Sequence, residues 1–180
     1  MVSHALRPEV GAVGARLLYA ENTLQHAGVV TGIGQVAGHS HKFLPAKDGG
    51  YMARPHLICN YSAVTGACLL LRRSVFDEVG GLDEKNLAVA FNDVDLCLKI
   101  REKGYWIVYT PYAELYHLES ASRGPDTTAA TYPRFLREQG FMLQKWGSTL
   151  PHDPFYSPNL SDRSEDFAIA FPPRAKRLWS

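Results

Sequence analysis

Three groups of residues have the types and spacing to do chemistry. Asn92-Asp93-Val94-Asp95 stands where a helix is expected to begin, and the aligned backbone N–H groups of such an end favour a negative charge. A carboxylate kept ionised there can accept a proton. Two readings of this string stay open: Asp93 serves as a base, or Asn92 caps the helix, Asp95 completes a capping box and Asp93 only answers the helix dipole. The second group is Tyr116-His117-x-Glu119-Ser120-x-Ser122-Arg123, at the end of an expected strand. It gathers an imidazole, a carboxylate, two hydroxyls and a guanidinium, a set suited to a metal-bound diphosphate: His117 on the ion, Arg123 and the hydroxyls on phosphate oxygens. A surface hydrogen-bond pair of His117 with Glu119 is the competing reading. The third is Gly28 to Lys42, whose glycines could approach phosphate and whose His39 and His41 could ligate a metal. It lacks the strand and helix of a dinucleotide fingerprint and a third metal ligand, so a flexible gating loop is the better reading.

Several elements must position these groups. Met1 to Arg7 reads as the last turns of a helix closed by Pro8, Gly11 to Tyr19 as a buried strand and Gly28 to Val30 as a short second strand. Thr31 to Tyr51, with many Gly, His and Lys residues, reads as a long mobile loop. Ser62 to Arg72 is the strongest strand candidate, with Gly66 permitting close backbone approach. Ser74 is expected to cap a short helix through Val79, and Asn92 to cap a helix over Asp93 to Lys103 that stops at Gly104. Tyr105 to Thr110 and Ala113 to His117 read as strands separated by Pro111, followed by a polar loop from Glu119 to Thr131. Tyr132 to Trp146 is a final helix, with Phe135, Phe141 and Trp146 on its apolar face, and the proline-rich segment after it is irregular. The domain is expected over 1–150 and the tail over 151–180. Both long loops are expected to be the least ordered internal segments.

The composition narrows the classes of function. With 46% hydrophobic and 21% charged residues, the 180-residue chain has the make-up of a soluble globular protein, one domain with a real core; the strands and helices expected above make its class α/β. A formal charge of +1 provides no broad field to attract nucleic acid. Three scattered cysteines, Cys59, Cys68 and Cys97, suit neither a disulfide framework nor a cysteine-rich zinc module, so a reducing, cytoplasmic setting is expected. No apolar run approaches the roughly 20 residues of a membrane span, and no signal peptide is visible.

Four motifs in order are similar to the acceptor half of a bacterial family 2 glycosyltransferase: Thr65-Gly66-Ala67-Cys68-Leu69-Leu70-Leu71-Arg72-Arg73, Val79-Gly80-Gly81-Leu82-Asp83-Glu84, Phe91-Asn92-Asp93-Val94-Asp95-Leu96-Cys97, and His117-x-Glu119-Ser120-x-Ser122-Arg123. Asp153-Pro-Phe-Tyr-Ser-Pro-Asn-Leu resembles an Asp-Pro-Tyr-Tyr-Asn-Pro-Asn-Leu segment of such enzymes from polysaccharide and O-antigen pathways, so the likeness spans about residues 10 to 170. The resemblance implies a GT-A (Rossmann-like) fold with a mixed sheet and flanking helices, a nucleotide-sugar donor, a glycan or lipid-linked acceptor, a divalent cation (Mn²⁺ or Mg²⁺) and inversion at the anomeric carbon. It maps the catalytic base to Asp93, a metal-holding histidine to His117, and substrate contacts to Gly66, Ala67, Asn92, Asp95, Ser120, Ser122 and Arg123. It also implies work at the cytoplasmic face of a membrane. Asn92 departs from the glutamate usual before the base, and no Asp-x-Asp precedes Asp93, so the nucleotide-binding half is expected to be missing.

Three functions follow as expectations: the acceptor half of an inverting transferase, a binding module with no turnover of its own and a weak or absent metal site, or a partner that pairs through exposed strand edges with a separate nucleotide-binding chain or with itself.

Overall fold

A computed structural model describes residues 1–118 and 128–175. Its centre is a mixed sheet in the order β2 (Leu24–His26), β1 (Val10–Leu18), β7 (Trp106–Tyr116) and β5 (Cys59–Tyr61), with β6 (Leu69–Leu71) also paired to β1. Strand β1, Val10–Leu18, is buried along all nine residues. It runs parallel to β7, Trp106–Tyr116, and antiparallel to β6, Leu69–Leu71, and to β2, Leu24–His26. Its small residues permit this crowding. A methyl group on Gly14 would come within 2.5 Å of the Val64 side chain, so bare backbone is what lets the Val64 segment close over β1.

β7 is one strand where two were expected, and Pro111 is why they looked separate. Its pairing with β1 jumps from Ala15↔Thr110 to Arg16↔Glu114, so Pro111 to Ala113 bulge out of the ladder and the missing proline N–H costs no bond. The expected strand Ser62 to Arg72 is likewise broken up: β5, Cys59–Tyr61, pairs with the far side of β7 and ends just before it, and the segment itself holds an isolated bridge from Ala63 to Val29, a 3₁₀ turn over Gly66–Cys68 and then β6. The Thr65 hydroxyl accepts from the Ala67 N–H at 3.3 Å and turns the chain there.

Among the described residues, four α-helices complete the fold. The short α1, Val2–Ala5, leads into β1, and Arg72 ties down that entry by donating to the carbonyls of Ala5, Arg7 and Pro8. The helix expected at Ser74 is α2, Arg73–Glu78, without a side-chain cap. Helix α3, Asn92–Glu102, begins one residue earlier than expected, because Phe91 takes the capping position with a left-handed backbone (φ 62°) and Asn92 is already helical. Helix α4 covers Tyr132–Trp146, the expected span. Buried Val94, Leu96, Leu98 and Ile100 of α3 share the main core with Ile107 and Tyr109 of β7 and Met142 and Trp146 of α4.

The expectation of a mobile loop over Thr31 to Tyr51 is corrected by its packing. A small hairpin of β3, Val29–Thr31, and β4, Ala37–His39, occupies its first part, and Ile33 and Val36 enter the core. The partners that hold it come from the far end of the chain. Asp153 accepts from the Thr31 N–H at 2.8 Å, the Glu165 carbonyl accepts from His41 N–H at 2.9 Å, and Phe167 stacks on the His41 ring at 4.2 Å. Residues 151–175 contain no helix or strand beyond a bridge between Leu160 and Ile169, yet Tyr156, Leu160 and Phe167 belong to the main core.

Candidate functional site

The N-terminal end of α3 meets the 3₁₀ turn after Thr65. Asp93 is half-buried there, and both of its carboxylate oxygens accept backbone hydrogen bonds: Oδ2 from Gly66 N–H and Oδ1 from Val94 N–H, each at 2.8 Å. These two bonds aim the carboxylate across the exposed Gly66-Ala67 lip. A methyl group on Gly66 would meet the Asp93 Cβ at 3.4 Å, an ordinary contact, so what the Gly66 position supplies is the N–H. Asn92 is half-buried beside Asp93 at the same helix start.

Asp95 has a different place from the one expected of it. It is fully buried, and its Oδ1 accepts from Lys145 Nζ at 2.6 Å and from Trp146 Nε1 at 2.7 Å, with Lys99 Nζ 3.3 Å from Oδ2. No substrate reaches a carboxylate so enclosed. Nor does Asp95 form a capping box, since Phe91 rather than Asn92 caps α3 and the Asp95 side chain is spent on α4. It joins α3 to α4.

Helix α4 also sets the approach to Asp93, through Glu138, which was not among the expected site residues, and through Phe135 of its expected apolar face. Glu138 is buried, and its Oε2 accepts from Ala90 N–H at 2.6 Å, just before the helix start. Phe135 packs on Phe91 with ring centroids 5.5 Å apart, at the left-handed residue that turns the chain into α3. A glutamate on an otherwise apolar helix face was the available signal for Glu138; nothing in the local sequence marks its partner.

His117 follows β7, and its N–H donates to the Leu18 carbonyl at 2.9 Å. It therefore lies at the C-terminal ends of the parallel pair β1 and β7, where open α/β sheets bind ligands. The 3₁₀ turn beside Asp93 leads into Leu69, which pairs with Gly14, so His117 lies further along β1 by four residues, about 13 Å of strand. Its Nδ1 is buried and has no hydrogen-bond partner among the described residues, as a metal-ligating nitrogen would be. One nitrogen does not hold an ion. Among the described residues no three His, Cys, Asp or Glu side chains come together as a metal site, so no step is derived through a metal. Ser120, Ser122 and Arg123 lie outside the described residues.

The His39 and His41 pair is not a metal site. His39 Nδ1 donates to the Gln25 carbonyl at 2.8 Å. Both ring nitrogens of His41 are engaged, Nδ1 with Ser40 Oγ at 2.7 Å and Nε2 accepting from Tyr51 N–H at 3.0 Å. Burial, with the Arg54 charge adding to it, lowers the His41 pKa from the usual 6.5 to about 4. The fully buried His26 is pushed well below 6.5 by burial and by His39.

The chain is similar in sequence to known proteins. The family described as glycosyltransferase-like family 2 matches residues 5–140. The uncharacterised protein y4gI of Sinorhizobium fredii is 52% identical over 172 residues, which cover 96% of this chain and 19% of that protein. The O-antigen biosynthesis protein RfbC of Myxococcus xanthus is 38% identical over 181 residues, 94% of this chain and 13% of that protein. The N-acetylglucosaminyl-diphospho-decaprenol L-rhamnosyltransferase of Mycobacterium tuberculosis is 43% identical over 63 residues, 35% of this chain and 20% of that protein. The chain thus matches a fifth or less of the length of each of these relatives.

Proposed function

The chain belongs to the family 2 glycosyltransferases, and on that premise we propose that it carries the acceptor side and the general base of an inverting sugar transfer. The observation that supports this most is Asp93, with both carboxylate oxygens oriented by backbone N–H groups beside an exposed lip. In the proposed step Asp93 takes the proton of an acceptor hydroxyl as its oxygen attacks the anomeric carbon of the donor sugar. The bond from that carbon to the nucleoside diphosphate breaks on the opposite face, and the diphosphate leaves with the bonding electrons. Gly66 and Ala67 form the lip over which the acceptor lies, with Asn92 beside the base. Ser120, Ser122 and Arg123 are proposed to bind the diphosphate.

Mn²⁺ or Mg²⁺, when bound, would offset the negative charge on the departing diphosphate. His117 is the residue proposed to hold it, and the other ligands come from outside the described residues. The 180 residues are accordingly proposed to bind acceptor without turning over alone. The names of the relatives point to a glycan or lipid-linked saccharide as acceptor and to polysaccharide assembly as the setting; work at the cytoplasmic face of a membrane is part of the same proposal. No helix among the described residues is long and apolar enough to cross a membrane.

A second reading, association with a nucleotide-binding polypeptide or with another copy, is favoured by one feature. Beyond Tyr109 the outer edge of β7 has no strand partner among the described residues, and Tyr112, Leu115 and Tyr116 are exposed there. The test of the proposed function is stereochemical. With a nucleotide-binding half supplied in cis or in trans, the new glycosidic bond is expected to have the anomeric configuration opposite to that of the donor, read by NMR of the product. A retained configuration would contradict direct attack assisted by Asp93.

A further inference from the structure

A cavity of about 450 Å³ lies between the segment that follows β4 and the irregular tail, and shares no wall residue with the Asp93 lip. Its walls include Tyr51, Arg54, Phe155, Tyr156, Ser157 and Phe167. The rings are mutually braced: Phe167 stacks on Tyr51 at 5.3 Å and meets Tyr156 edge-on at 5.0 Å. The Arg54 guanidinium lies over the Tyr61 ring at 4.8 Å and over Phe167 at 5.9 Å, and its Nε donates to the Tyr61 hydroxyl at 3.3 Å. Among the described residues it forms no ion pair. Asp153, the neighbouring carboxylate, is committed to the N–H groups of Thr31 and Phe155, each at 2.8 Å.

A half-buried cation pinned on two ring faces, with no carboxylate in ion-pair contact among the described residues, at the wall of an open aromatic cavity, is a receptor for an anion carried on a group that can lie against rings. A pyranose is such a group: its C–H faces pack on aromatic rings while its hydroxyls bond to Ser157 and the adjoining backbone. A second cavity of about 480 Å³, which shares Tyr156 and Pro158 with the first and is lined by His152, Asp162 and Arg174, continues the surface with polar groups. We propose that the Arg54 cavity is a binding site for an anionic sugar residue of a glycan chain, with the guanidinium fork on its carboxylate or phosphate and the ring on Tyr51 and Phe155. The choice of a saccharide rests on the family 2 reading; the anion requirement rests on Arg54.

The experiment is an NMR titration of the ¹⁵N-labelled 180-residue chain with D-glucuronate, D-glucose 1-phosphate, D-glucose and inorganic phosphate, on the parent and on Arg54→Gln, Arg54→Lys and Tyr51→Ala. Glucuronate, glucose 1-phosphate or both shift the amides of Tyr51, Phe155 and Ser157, at least tenfold more tightly than glucose or phosphate; which of the two binds tighter identifies the anion. Arg54→Gln lowers that affinity at least tenfold and Tyr51→Ala at least threefold. Arg54→Lys, which keeps the charge without the planar fork, loses at least threefold and serves as the test if the glutamine variant does not fold. Equal affinity for glucose, phosphate binding as tightly as glucose 1-phosphate, an unchanged affinity in Arg54→Lys, or shifts confined to Gly66 and Asp93 would each overturn the proposal. Asp93→Asn is expected to leave this titration unchanged, so failure here and failure of the transferase reading are separable.

Discussion

Two positions apart on α3, Asp93 and Asp95 are separated by about 200° of helical rotation, so one faces the lip and the other the core. Their substitutions should therefore divide cleanly. Asp95→Asn leaves Lys145 and Lys99, both partly exposed, around a neutral amide, so the cost falls below the value of about 3–5 kcal/mol typical of breaking a fully buried ion pair. A fall in Tm on thermal denaturation by circular dichroism is expected, larger than that of Asp93→Asn, whose amide oxygen keeps one of the two backbone hydrogen bonds at a half-buried site. A melting temperature for Asp95→Asn equal to that of the parent would show that the α3 to α4 joint is not held by this carboxylate. The spacing of two acids at a helix start was legible in the sequence, but not which of them faces inward. That depends on Lys145 and Trp146, fifty residues away, whose approach is a matter of tertiary packing.

At the scale of elements, what was legible is what is local. Helix α4 was readable because its apolar period and terminal Gly147 are contained within the helix and its boundary. Of the hairpin, β3 was readable as the short strand expected over Gly28 to Val30, but β4 was not, because it is three residues long and the hairpin is held by Asp153, Glu165 and Phe167. The start of α3 was displaced by Phe91, a left-handed aromatic residue that local preference disfavours and that Phe135 and Glu138 of α4 hold in place. The strand β1 offers a direct test of packing at this scale. Gly14→Ala drives a methyl group to 2.5 Å from Val64, and overpacking of this kind costs about 1–3 kcal/mol, which denaturant unfolding would read as a lower midpoint. An unchanged midpoint would mean that the Val64 segment yields freely and does not depend on the close approach.

For the whole molecule, the tail is part of the core rather than an appendage. Ending the chain at residue 150 removes buried Tyr156, Leu160 and Phe167, each contributing about 1.5–3 kcal/mol, against a total stability on the order of 5–15 kcal/mol. Loss of the cooperative melt is expected for that variant; an unaltered melt would show the tail to be separable. The same region makes the fold sensitive to acid. His41 and His26 are held neutral in the native state, with pKa values below 6.5, whereas the unfolded chain takes up protons near 6.5. Stability is therefore full above pH 6.5 and falls as the pH drops from there toward about 4, with protonation of His41 opposing the N–H that Tyr51 points at Nε2. Urea midpoints measured from pH 7.5 to 4.5 should fall, and the fall should be shallower in His41→Gln; a flat profile would contradict the burial of both rings.

The central claim is that Asp93 removes the acceptor proton, and one comparison tests it most directly. Transfer is measured for parent and Asp93→Asn with the nucleotide-binding half supplied, alongside acceptor affinity and thermal stability. General-base assistance is typically worth about 10²–10⁴-fold, so the variant is expected to lose at least a hundredfold in rate while its acceptor affinity stays within error of the parent and it remains folded at the assay temperature. Transfer within tenfold of the parent, in a variant that folds and binds acceptor normally, would contradict the assignment of Asp93 as the base.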